Sequence, residues 1–300
     1  MTIGQIVALL VLVEKTYEPI AVFNVVNVYY KLEKIAFARY TEFLDAKEDT
    51  RLTQGEEVNG LNGNISFINT GFQYDGREIL TDFSLHIEQG KTTALVGESG
   101  SGKSTVVKLI VGLLHPHSGH IEVDGFDLTK INLNSYYKHI AYLPQEPPVF
   151  NGTLRENLVF DDPMDDTLLI EAIRKTGLND LYSKLEKGLN TQIGERGVSL
   201  SGGERQQLAL ARLWFSDAKI IIFDEATSAI DNLTEEAVMQ NIMNLLAGKT
   251  VIAIAHRLDS IKTFDKIFVF QDGRIVEQGS FSVLMDKRQA FFDFYRRTSV

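Results

Sequence analysis

The 300-residue chain carries 40 acidic against 30 basic residues, a net charge of −10, in an ordinary globular composition of 44% hydrophobic and 23% charged residues. That length suffices for one core of about 240 residues plus an appendage, and the acidic balance disfavours a large nucleic-acid footprint. No cysteine is present, which excludes disulfides, thiolate catalysis and cysteine-based metal sites.

In chain order, residues 1–30 are unusually apolar, but the first uninterrupted run, Ile3 to Val13, is too short to span a bilayer on hydropathy alone. No signal peptide is expected, because the start lacks a basic stretch and a small-residue cleavage site. Glu14, Lys15, Glu18 and Pro19 interrupt the run. Glu14 and Glu18 lie one turn apart on one helical face, so a longer helix would turn them toward a wet cavity or partner helices. An amphipathic docking helix reads equally well from the pattern. Residues 31–45 continue helically, with Leu32, Ile35, Ala36, Phe43 and Leu44 on one face. Residues 46–60 turn polar and read as a linker.

From about Val58 to the end, strand-like and helix-like segments alternate without an internal repeat. Residues 65–74 and 85–87 alternate like an antiparallel sheet. Residues 93–96, 140–143, 220–223, 251–254 and 267–270 read as core strands, several followed by helices. The expected class is α/β with a largely parallel central sheet.

Gly97-Glu98-Ser99-Gly100-Ser101-Gly102-Lys103-Ser104 fits GxxxxGK[ST], the P-loop or Walker A pattern. Gly100 and Gly102 let the backbone curl with N–H groups facing a polyphosphate, Lys103 reaches the β- and γ-phosphates, and the Ser104 hydroxyl is suited to Mg²⁺. An apolar stretch runs in and a helix-like stretch, residues 104–114, runs out, which places the phosphates at a helix N-terminus. These residues predict a nucleoside triphosphate site. Ile220-Ile221-Ile222-Phe223-Asp224-Glu225 is an apolar strand ending in two acids, the Walker B pattern. Asp224 is placed to hold Mg²⁺ through water, and Glu225 to orient or deprotonate an attacking water.

Leu200-Ser201-Gly202-Gly203-Glu204, followed by Arg205 to Arg212, closely resembles the LSGGQ signature and helix of ATP-binding cassette (ABC) ATPases. A hydroxyl and two glycines at a helix start make a second anion nest. The resemblance covers residues 61–297. It implies a RecA-like P-loop core with an antiparallel β subdomain and a helical signature subdomain. It also implies a partner: a second cassette whose signature, equivalent to Ser201, Gly202 and Gly203, closes on the γ-phosphate, so that two subunits sandwich two ATP molecules. Other residues take roles from the same resemblance. Tyr74 would stack on adenine, Gln145 would be the Q-loop glutamine touching Mg²⁺, and Asp231 would sit in the D-loop at the dimer seam. His256 would contact the γ-phosphate, and Gly97, Glu98, Ser99, Ser101 and Thr105 would complete the nucleotide cradle. Catalysis would then rest on Glu225, His256 and Lys103, with Ser104, Gln145 and Asp224 around the metal.

Two segments narrow the subfamily. Thr191 to Gly197 resembles the TEVGERG segment of ABC exporters, and Phe150 to Asn157 follows the exporter pattern after the Q-loop. In exporters both contact the intracellular ends of transmembrane helices. Residues 1–45 then resemble the last transmembrane helix and its cytoplasmic extension, a truncated membrane domain. The resemblance thus implies a chain at the cell membrane with a cassette, residues 61–300, on the cytoplasmic side, powering export. The alternatives are an ABC ATPase acting on nucleic acid or ribosomes and a soluble ATPase subunit of an importer. Glu204 and Gln207 depart from the usual glutamine and arginine of the family.

Overall fold

The computed structural model describes residues 2–45, 50–160, 162–195, 197–226, 229–230, 232–255 and 257–298. They divide into two compact units, residues 1–50 and 51–300.

The first unit is one helix, Ile3–Leu44, that runs through Pro19. None of its side chains is buried, and isoleucine, leucine, valine, phenylalanine and tyrosine side chains are exposed along its whole length. Among the described residues no helix is long and apolar enough to cross a membrane. Glu14, Lys15 and Glu18, then Lys31, Glu33 and Lys34, divide this helix into apolar runs shorter than a membrane-spanning length.

The second unit holds the strands β1 (Ile65–Tyr74), β2 (Arg77–Ile87), β3 (Thr92–Gly97), β4 (Ser118–Val123), β5 (Phe126–Asp127) and β6 (Ile140–Leu143). After them come β7 (Gly152–Thr153), β8 (Gln192–Ile193), β9 (Ile220–Asp224), β10 (Thr250–Ile254), β11 (Lys266–Gln271) and β12 (Arg274–Gly279). A six-stranded sheet runs β12-β11-β3-β10-β9-β6 and a four-stranded sheet runs β2-β1-β4-β5. Pairing is parallel from β11 through β3, β10 and β9 to β6, and β12 closes one edge antiparallel. The largely parallel core is therefore as the sequence predicts. β4 and β12 go unread in the sequence because SGHIEV and RIVEQG carry too few apolar residues to stand out.

Ile220 and Ile222 pack into one apolar cluster with the P-loop helix (Lys103–Ile110) and the four-stranded sheet, while Ile221 and Phe223 pack into another with Val238, Ile242 and Phe291. Both faces of β9 are covered, which is why it reads as an unbroken apolar run rather than an alternating one. A third cluster gathers Leu154, Leu158, Leu169, Ile173, Leu208 and Ala211 into a helical layer that includes the helix Gly202–Arg212.

The P-loop helix is shorter than the sequence suggests. It ends at Ile110 because Gly112, at φ +77, turns the chain left-handed. Gly112 N–H bonds Leu109 O and Leu113 N–H bonds Lys108 O, a Schellman stop. The polar stretch read as a linker is held by the cassette from Arg51 onward. Arg51 donates to Gly112 O (2.9 Å), Glu56 N–H to Lys130 O (2.9 Å) and Val58 N–H to Ser135 Oγ (3.0 Å).

Candidate functional site

The site grows from the carboxyl ends of β3 and β9, neighbours of β10, where parallel strands bring their ends together. β3 delivers the loop of residues 97–102. Gly97 lies at φ +147, and a Cβ there would stand 2.3 Å from Phe270 O, so only glycine fits against β11. The N–H groups of Lys103, Ser104 and Thr105 open the P-loop helix and have no intrahelical acceptor. Together with the helix dipole they favour an anion.

Lys103 is buried. Its ammonium donates to Gly97 O (2.8 Å), Glu98 O (2.8 Å) and Ser101 Oγ (3.3 Å), stapling the loop from inside. Burial pulls its pKa below the usual lysine value, while the carboxylates of Glu225 and Asp224 oppose that shift. Glu98 forms an exposed ion pair with Arg297 of the C-terminal helix Ala290–Thr298.

A cleft of about 280 Å³ unites Tyr74, Ser99, Gly100, Gly102, Lys103, Ser104, Thr105 and Glu225, with Arg77 and Ile79 beside them. Tyr74 is partly exposed and meets Phe72 edge-on, with ring centroids 4.7 Å apart. The sequence names all of these residues except Arg77 and Ile79.

β9 ends in Asp224, which is buried. The Tyr142 hydroxyl, on adjacent β6, donates to Asp224 Oδ2 at 3.1 Å. Burial and the neighbouring carboxylate push the Tyr142 phenol far upward, so it stays a donor. Glu225 follows at φ +55, a left-handed backbone that costs a non-glycine residue about 1–2 kcal/mol. Its carboxylate accepts a hydrogen bond from Gln145 Nε2 at 2.9 Å.

Ser104, Asp224 and Gln145 offer a hydroxyl, a carboxylate and an amide oxygen. These are hard oxygen donors of the kind Mg²⁺ takes, and the residues fit that ion. Among the described residues no cluster of three or more histidine or acidic side chains would hold a metal unaided.

Ser201 opens the signature helix Gly202–Arg212. Its Oγ accepts Glu204 N–H (3.3 Å), and Glu204 Oε2 accepts both the Ser201 N–H and hydroxyl (2.7 Å each). This capping box gives Glu204 a place in the motif despite its departure from the family pattern. Ser201, Gly202 and Gly203 are not part of the P-loop cleft. His256 and Asp231 lie outside the described residues. Tyr142 and Gln206 were missed by sequence reading. Gln206 did leave a signal: it is a polar residue at helical spacing from Ala209 and Leu210 on a buried face.

Residues 80–228 match the family model described as ABC transporter. The chain is 37% identical over 298 residues to the leukotoxin translocation ATP-binding protein LktB of Mannheimia haemolytica, covering 98% of this chain and 42% of that one. It is 40% identical over 288 residues to the ATP-dependent permease MDL1 of Candida albicans, covering 92% and 42%. It is 38% identical over 255 residues to ABC transporter B family member 15 of Arabidopsis thaliana, covering 83% and 20%. The chain thus spans less than half the length of these curated relatives. Among solved structures, a bacterial Atm1-family ABC exporter with ATP bound superposes with a TM-score of 0.81 at 30% identity, over 100% of this chain and 53% of that one. Motifs, fold and relatives agree: the chain belongs to the ABC transporter family, of which it carries the ATP-binding domain.

Proposed function

We propose that the chain is the ATP-hydrolysing cassette of an ABC exporter, working in a sandwich with a second cassette at the cytoplasmic face of a membrane. The observation that carries this reading is the single cleft joining Tyr74, the P-loop and Glu225, with Gln145 bonded to Glu225. The names and extent of the relatives support export over the soluble-ATPase and nucleic-acid readings.

In this mechanism Tyr74 stacks on adenine, and the N–H groups of residues 97–105 take the phosphates. Lys103 exchanges its bonds to Gly97 O and Glu98 O for the β- and γ-phosphate oxygens. Mg²⁺, held by Ser104 and Gln145 and through water by Asp224, would neutralise charge on the transferring phosphoryl group. The Tyr142 O–H keeps the Asp224 carboxylate oriented. Glu225, fixed by Gln145, accepts a proton from water as its oxygen bonds the γ-phosphorus and the β–γ bridging bond breaks, releasing ADP and phosphate. His256 contacts the γ-phosphate, and Asp231 lies at the seam with the second cassette.

The membrane partner has two contact regions in this reading. One is a groove lined by Pro147, Pro148, Phe150, Phe160 and Arg212, in which Phe150 and Phe160 are exposed and the Arg212 guanidinium stands over both rings. The other is the helix Ile3–Leu44, read as the end of a membrane-domain helix and its cytoplasmic extension. A helix exposing apolar side chains along its whole length is stable only against other helices or lipid. Closure on ATP and reopening after hydrolysis then bias the attached helices between two states.

The composite site is tested at Ser201. Ser201→Arg is expected to leave nucleotide affinity unchanged and to abolish hydrolysis, measured by titration and phosphate release. A fully active Ser201→Arg chain would refute the sandwich.

A further inference from the structure

Gln206 is 2% exposed. A buried amide requires partners, and those of Gln206 come from three other segments. Its Nε2 donates to the backbone oxygens of Gln145 (3.2 Å) and Glu225 (3.4 Å), and its Oε1 accepts Ala229 N–H at 2.8 Å. Two carbonyls on one side and an N–H on the other fix the orientation of the amide.

What it holds matters. Glu225 sits in a costly left-handed conformation, which persists only where surroundings over-determine it. Its restraints include its N–H to Ile254 O (3.4 Å), Gln206 on its carbonyl, and Gln145 Nε2 on its carboxylate. Gln206 therefore grips the Glu225 backbone and also the backbone of the residue that grips the Glu225 side chain. Two turns of the same helix carry Gly202, Gly203 and Gln206. Gly203 packs on residue 229, where a Cβ would stand 2.8 Å from Ala229 O. Arg257 Nη1 holds the next carbonyl, Ile230 O, at 3.3 Å.

We propose that Gln206 is a positioning residue for ATP hydrolysis. Its amide locks Glu225 and Gln145 of the chain's own site to the helix that presents Ser201 to the second cassette, so the two sites of a pair respond to each other through it. This rests on the sandwich reading above. Gln206 touches no nucleotide in that reading and acts through Glu225, Gln145 and residue 229.

The test compares the full chain with Gln206→Met, which keeps volume but removes polarity, and Gln206→Glu. The glutamate retains the acceptor for Ala229 N–H but sets a carboxylate oxygen against two carbonyls. Both variants are expected to keep ATP affinity within about twofold of wild type while kcat falls by about tenfold or more at little-changed KM. The Hill coefficient for ATP should drop toward one. Wild-type kcat in both variants overturns the inference, and so does a loss of affinity in step with kcat, the mark of a merely structural role. Should Gln206→Met not fold, as judged by its melting curve, Gln206→Glu decides alone by the same criteria. A wild-type chain without ATPase activity sinks the functional reading and this inference with it. An active wild type with unaffected Gln206 variants sinks the inference only.

Discussion

Lys103→Ala is expected to abolish tight ATP binding. Each hydrogen bond to a charged group contributes about 1.5–3 kcal/mol. Two such bonds from Lys103 to the β- and γ-phosphates imply a Kd higher by about a hundredfold or more. The side chain also staples the loop itself through Gly97 O, Glu98 O and Ser101 Oγ, so the variant should lose some loop order as well. A nucleotide titration beside a thermal melt separates the two effects. Near-native affinity in a folded Lys103→Ala chain would remove the P-loop assignment.

Glu225→Gln is expected to leave ATP binding intact and slow hydrolysis about 10²- to 10⁴-fold, the usual worth of a positioned acid–base group. The amide has the shape of the carboxylate, and its oxygen still accepts the bond from Gln145 Nε2. Only the capacity to take a proton and the negative charge are lost. Single-turnover phosphate release at saturating ATP reads this directly. An unchanged rate would show that another group activates the water.

The parts of the site that were legible in the sequence are those whose chemistry is written in contiguous residues. The P-loop needs its glycines, Lys103 and Ser104 at fixed offsets, and β9 needs an apolar run that ends in Asp224 and Glu225. Each therefore appears as a pattern. Ser201 and Glu204 are similarly local, three residues apart in a capping box. Tyr142 and Gln206 belong to a different class. Tyr142 meets Asp224 across 82 residues of chain, and Gln206 meets Gln145 across 61 and Ala229 across 23. Pairing of β6 beside β9 and packing of the signature helix on both bring these groups together, and no spacing rule encodes that.

The fold divides along the same line. Core strands covered on both faces, such as β9 and β10, are unbroken apolar runs and stand out. The edge strands β12 and β5, and β4 beside β5, are half-exposed, and their short mixed sequences resemble loops. The N-terminal helix was legible as a helix. Its apolar residues spread around the whole circumference, so sequence pattern could not say what it packs against.

The measurement that bears most directly on the sandwich is hydrolysis by a mixture of two silent chains, Lys103→Ala and Ser201→Arg. In a mixed pair, the intact P-loop of the Ser201→Arg chain faces the intact signature of the Lys103→Ala chain, which completes one working site. The account predicts that each chain alone is inactive and that mixing restores part of the wild-type rate. A mixture as silent as its components would contradict it.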